Sequence, residues 1–161
     1  MFKTAYLDTG FIIRLLDSNH NMHAQAMSYF RYLSANGYIM RISSIAIAEY
    51  CVKGDYDDLP TAKILPSPFN PIHAVKAGDF GKILYENRTK WVKSIGGRDF
   101  IKNDAKLMAQ AEADKADCYV TFDADSHKLY DLLKEKKRVS FMFWDANNPL
   151  SSYTGEIPFT E

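Results

Sequence analysis

Short apolar runs alternate with longer stretches of helical period along most of the chain. Lys3 to Asp8 is the first such run: Ala5, Tyr6 and Leu7 are apolar without interruption and an acid closes them, the pattern of a strand buried on both faces. Phe11, Ile12, Leu15 and Leu16 then recur at helical spacing and predict a short helix. Asp17-Ser18-Asn19 reads as the cap of a second helix from His20 to Ala35, with Met27, Phe30 and Leu33 on one face and Asn36-Gly37 as its stop. Tyr38 to Ile42 predicts a second strand, and Ser43-Ser44 caps a helix running to Lys53.

Beyond it, Gly54 to Ala62 is polar, acidic and turn-like. A third strand is expected near Lys63 to Phe69, at a sheet edge because of Pro66 and Pro68, and Pro71 suits the first turn of a helix reaching Glu86. Asn87 to Lys102, with Gly96-Gly97 in its middle, reads as a loop. Asn103 to Lys115 predicts a helix, Cys118 to Thr121 a strand, Ala124 to Lys136 a helix, and Ser140 to Trp144 a last strand. From Asn147 onward no pattern stands out.

Strands that alternate with helices in this way imply βαβ units, an α/β fold and a mainly parallel sheet. At 161 residues the chain suits one domain rather than two. Charged residues make up 25%, with 20 basic against 20 acidic, so the balance is that of a globular protein and not of one that coats nucleic acid. Any contact with nucleic acid must come from a local patch. Cys51 and Cys118 belong to no CxxC pair and are expected as reduced thiols. No run is long enough to span a bilayer and no signal peptide opens the chain, so a soluble, cytoplasmic protein without a membrane partner is expected.

Candidate chemistry gathers at one edge of the expected sheet. Ligands of an open parallel sheet bind at the carboxyl ends of its strands, where the following helices begin. Asp8 ends the first strand, Glu49 lies in the second turn of the helix after the second, Asp104 opens the helix before the fourth, and Asp123 follows the fourth. Four carboxylates so crowded call for a cation, and oxygen-only ligands suit the hard ions Mg²⁺ or Mn²⁺. Such ions acidify water and clamp phosphodiesters, so the reaction implied is phosphate-ester hydrolysis. Taken singly, Asp8 and Asp123 also fit helix caps, Glu49 a solvated helix face, and Asp104 an acid stabilised by the helix dipole.

The segment from Asn87 to Lys102 adds Arg88, Lys90, Lys93, Arg98 and Lys102 against one acid, Asp99, with Trp91 among them. Basic residues around an aromatic suit a phosphate backbone and a stacked base, although a solvated loop with one buried Trp would look the same. His20 and His23 lack the further ligands of a zinc site, and His73 and His127 fall in helical patterns. No Walker loop, GxGxxG or GxSxG occurs. A phosphatase of the haloacid-dehalogenase type would need an aspartate where Gly10 stands.

Tyr6-Leu7-Asp8-Thr9, Ser43-Ser44-Ile45-Ala46-Ile47-Ala48-Glu49, the helix from Asp104 to Ala111 and Thr121-Phe122-Asp123 together resemble the PIN-domain family, in particular its VapC-like toxin ribonucleases. The order and spacing match over roughly residues 3 to 145, and His20 and His23 sit where that family often has histidines. The resemblance implies a three-layer α/β/α sandwich over residues 1–146, with 147–161 as a C-terminal extension. It implies Mg²⁺- or Mn²⁺-dependent cleavage of single-stranded RNA, a cognate antitoxin and a homodimer. Asp8, Glu49, Asp104 and Asp123 would hold the metal and position the attacking water, with Asp125 as a fifth acid. Thr9 and Thr121 would orient a carboxylate or the water, and Lys90, Trp91, Lys93 and Arg98 would meet the RNA. The alternative is a PIN-like fold kept as a non-catalytic RNA- or protein-binding module.

Overall fold

The computed structural model describes residues 2–87 and 98–155, with residues 98–102 described by their backbone alone. Five strands, β1 (Lys3–Leu7), β2 (Tyr38–Ser43), β3 (Ile64–Ser67), β4 (Cys118–Thr121) and β5 (Met142–Asp145), form one sheet in the order β3-β2-β1-β4-β5. Every pairing is parallel, with Leu7 opposite both Ile42 and Val120. The helices are α1 (Thr9–Leu16), α2 (His23–Ala35), α3 (Ser44–Tyr50), α4 (Pro71–Glu86), α5 (Arg98–Ala113), α6 (Ala124–Glu135) and the single turn α7 (Ser151–Thr154). The expected α/β/α arrangement and parallel sheet are what the chain adopts.

Burial on both faces explains the uninterrupted apolar runs of the central strands. Successive side chains of β5 point opposite ways. Trp144 meets Tyr29 and Tyr32 of α2 with ring centres 6.2 Å apart in each case, whereas Phe143 meets Tyr130 of α6 at 5.1 Å. On that second face Tyr6 reaches across to Ser67, and its hydroxyl also donates to Asp114, whose other oxygen lies 2.9 Å from His73 Nε2. His73 is therefore a buried, bonded residue. Residues after β5 close the end of the first face: Tyr153 stacks on Trp144 at 5.6 Å, and Tyr29 donates to the Asn148 carbonyl at 2.8 Å.

Several boundaries differ from the expectation, each for a local reason. Asp17 does not cap α2: it terminates α1 and its carboxylate accepts from Asn19 N, so α2 starts at His23 without a side-chain cap. Helix α3 stops at Tyr50. Helix α5 begins at Arg98, which puts Asp104 in its second turn rather than at its opening. Strand β5 starts at Met142 because Ser140 is engaged with Glu112 through both its N–H and its hydroxyl. By contrast α4 runs from Pro71 to Glu86 as expected, with Asn70 accepting from Ile72 N and His73 N at its start. Pro66 lies on β3, an edge strand. Cys51 and Cys118 are free thiols, and among the described residues no helix is long and apolar enough to cross a membrane.

Candidate active site

Asp8, Glu49, Asp104 and Asp123 line one pocket of about 420 Å³ at the carboxyl edge of the sheet, together with Thr9, Gly10, Arg14, Asn103, Leu107, Phe122 and Ala124. Each acid arrives by its own route. Asp8 is the first residue after β1 and Asp123 the second after β4, so both emerge at the sheet edge. Glu49 projects from the second turn of α3, and Asp104 from α5, which descends toward β4.

The carboxylates are held individually. Asp8 is buried: its Oδ1 accepts from Phe11 N at 2.7 Å, which caps α1, and its Oδ2 accepts from the fully buried Thr121 hydroxyl. Glu49 accepts from Thr9 Oγ1 at 2.5 Å through one oxygen and from Asn103 Nδ2 at 2.7 Å through the other. Asp123 accepts from Asp125 N at 2.8 Å and caps α6. Of the four acids, Asp104 is the one with an oxygen, Oδ2, that is buried with no partner among the described residues. Each of the two threonines thus donates to one of the carboxylates.

Burial sets the electrostatics. It pushes the Asp8 carboxyl up to about 6, against the opposing pull of the Thr121 and Phe11 hydrogen bonds. Burial again, then repulsion from Asp123, lifts Asp104 to about 7; Asp8 and Glu49 add to the rise, and the nearby Ser126 hydroxyl opposes it without closing a hydrogen bond. Such groups accept a proton or a cation readily near neutral pH.

That donor set fits a hard divalent ion: every acid presents oxygen, the environment penalises uncompensated charge, and Asp104 Oδ2 is an orphaned buried acceptor. Among the described residues no three His, Cys, Asp or Glu side chains form a ready-drawn ligand set. Asp125 does not line the pocket; it is exposed and pairs with Lys128 at 3.2 Å. Lys90, Trp91 and Lys93 lie outside the described residues, as does the side chain of Arg98. His20 and His23 serve the α1–α2 junction, accepting from Met22 N and meeting the Arg14 carbonyl respectively. Sequence reasoning missed Arg14 and Asn103. For Asn103 the adjacency to Asp104 was a usable signal; for Arg14 there was its i,i+4 spacing from Gly10, two residues after Asp8.

No family model matches the chain, and no curated protein does. Solved structures do. VapBC2 from Rickettsia felis, bound to a DNA fragment from its promoter, matches with a TM-score of 0.60 at 18% identity, over 88% of this chain and 99% of that one. VapBC-1 from nontypeable Haemophilus influenzae matches with a TM-score of 0.59 at 14% identity, over 90% and 99%. VapC20 of Mycobacterium tuberculosis, described as a sarcin-ricin loop cleaving toxin, matches with a TM-score of 0.50 at 15% identity, over 77% and 93%. At these identities the likeness is one of fold, and the fold is the PIN-domain fold of VapC-type structures.

Proposed function

We propose that the protein is a divalent-metal-dependent endoribonuclease that hydrolyses phosphodiester bonds of single-stranded RNA, acting as the toxin of a toxin–antitoxin pair. One observation supports this above the rest: four acids from four distant parts of the chain line a single pocket, on a fold shared with a toxin described as cleaving the sarcin-ricin loop. A binding module has no use for so costly a concentration of negative charge, one acid buried and three partly buried.

In this reading Asp8, Glu49, Asp104 and Asp123 hold Mg²⁺ or Mn²⁺. The ion supplies acidification of water and neutralisation of phosphate charge. The chain's own residues do the positioning: Thr121 and Phe11 N fix Asp8, while Thr9 and Asn103 aim Glu49. Asp104, lifted to about 7 by burial and by its acidic neighbours, is the acid that gains most from a bound cation, which would draw its carboxyl to the ionised form. An antitoxin segment is the partner we assign to the adjoining groove of Ile13, Leu16, Tyr50 and Val52, which shares Thr9, Gly10 and Glu49 with the acid pocket. VapBC assemblies among the similar structures support that assignment.

The test is cleavage of a single-stranded RNA with Mn²⁺ and with Mg²⁺. Asp8→Asn and Asp104→Asn should each lower the rate on the order of a thousand-fold while the protein stays folded. Full metal-dependent activity in both variants would remove the acids from the chemistry and leave the binding-module alternative.

A further inference from the structure

Arg14 is a charged side chain of the pocket to which the acid chemistry gives no more than a modest role, that of helping to keep the Asp8 carboxylate ionised. It lies on α1 and lines the pocket beside the four carboxylates. The guanidinium sits 4.8 Å from the centre of the Phe122 ring, and Nη1 donates to the Gly10 carbonyl at 2.9 Å. The backbone carbonyl of Arg14 meets His23 Nδ1 at 3.0 Å, which ties this turn to the start of α2. Its Nε is buried and makes no hydrogen bond. A planar cation gripped by a ring face and a backbone oxygen keeps one orientation.

Gly10 leaves room for it. A Cβ at that position would lie 3.1 Å from Arg14 Nη1 and 3.7 Å from each carboxylate oxygen of Asp8. The guanidinium and the Asp8 carboxylate therefore both border the space beside Gly10. Among the described residues Arg14 nevertheless makes no ion pair. A fixed guanidinium with donors to spare, lining the same pocket as acids that suit a cation, gives that pocket two charge roles. The acids alone would repel a phosphodiester. A cation on their side and Arg14 on the other would hold it between them, and the planar fork of N–H donors matches phosphate oxygens.

We infer that Arg14 is a phosphate-positioning residue of this site, binding a non-bridging oxygen of an RNA phosphodiester next to the carboxylates. The inference rests on the nuclease reading above for its substrate. Its rival is an internal role, with Arg14 serving only as counter-charge to Asp8.

Two measurements on the full chain separate these. The first is steady-state cleavage of single-stranded RNA by wild type, Arg14→Ala and Arg14→Lys, with Mn²⁺ affinity measured by calorimetry on the same preparations. Arg14→Ala should lower kcat/KM by about 10- to 100-fold, as expected for loss of a charge-assisted contact. Mn²⁺ affinity should hold or tighten, since a nearby positive charge has gone, and Arg14→Lys should recover part of the loss. The second is fluorescence anisotropy of a labelled single-stranded oligodeoxynucleotide, with Mn²⁺ present, across a salt series. Arg14→Ala should weaken binding and reduce the slope of log K against log salt by roughly 0.7, one phosphate contact on a single strand. Unchanged kcat/KM and salt slope, or a parallel loss of Mn²⁺ affinity, would overturn the inference in favour of the counter-charge role. If wild type cleaves no RNA, the nuclease reading fails by itself and the anisotropy series still decides whether Arg14 holds a phosphodiester.

Discussion

Replacing Asp104 with asparagine should stabilise the metal-free protein, and the gain should grow with pH. Burial and the neighbouring acids Asp123, Asp8 and Glu49 lift the Asp104 carboxyl to about 7. In the unfolded chain an aspartate titrates near ~3.9. The protonated acid is therefore the form the fold prefers: its contribution is complete below the unfolded value and is lost as pH rises through the folded one. Between those limits the folded state loses about 1.4 kcal/mol per pH unit relative to the unfolded chain, about 4 kcal/mol in all. Repulsion is shared among several acids, and a partly open pocket screens some of it, so about 2 kcal/mol is the realistic gain from removing this one charge. For a domain of this size that is roughly 4–8 °C in Tm. Thermal melts in EDTA at pH 4.5, 6 and 8 should show the wild-type and Asp104→Asn curves nearly together at the lowest pH and well separated at the highest. Equal melting temperatures at pH 8, or a gap that does not widen with pH, would refute the picture of a strained acid cluster.

Thr121→Val keeps the shape of a fully buried side chain but leaves Asp8 Oδ2 without its donor, so it should destabilise by ~1–3 kcal/mol in urea unfolding and slow RNA cleavage. Millimolar Mn²⁺ should raise the wild-type melting temperature by mass action, about 2.7 kcal/mol at a hundred times Kd, and a flat calorimetric titration would count against the metal. Neutralising Lys90, Lys93 and Arg98 together should reduce the salt slope of RNA binding by about 2 while leaving Mn²⁺ affinity alone; an unchanged slope would make that segment merely solvated. Tyr6→Phe removes a hydroxyl shared by Ser67 and Asp114 and should cost ~1–3 kcal/mol of stability with cleavage intact, so lost cleavage would link that buried network to the pocket.

The sheet was legible because its strands are buried on both faces, which writes them into the chain as unbroken apolar runs such as Ala5-Tyr6-Leu7. The bounds of α4 were legible because Asn70 and Pro71 are chemically committed to a helix start. The start of α5 was not. Its first turn, Arg98 to Ile101, follows two glycines and carries two charges, so neither cap nor period announces it. Asp17 misled for a different reason: an aspartate accepts a backbone N–H two residues on whether or not a helix follows, and here it closes α1 with a turn. Arg14 escaped notice because a lone cation on an amphipathic helix looks like solvated surface. Only the fold brings Phe122, from a distant part of the chain, beneath it.

Capping and ligation were opposed as readings of Asp8 and Asp123, yet the structure gives each residue a cap without removing it from the pocket. Asp8 commits one oxygen to Phe11 N and the other to Thr121; Asp123 accepts from Asp125 N while still lining the pocket. The two uses reinforce each other physically. A helix N-terminus presents partial positive charge, so a carboxylate that caps it stays ionised at lower cost than an uncapped one. Asp104 shows the contrast: burial and repulsion from Asp123, Asp8 and Glu49 raise its carboxyl while its Oδ2 has no donor, whereas at Asp8 the Thr121 and Phe11 hydrogen bonds oppose the effect of burial. Local helix-start chemistry thus lets this chain keep buried acids together before any cation arrives. It follows that the pocket's geometry is encoded in its caps and threonines as much as in the acids themselves.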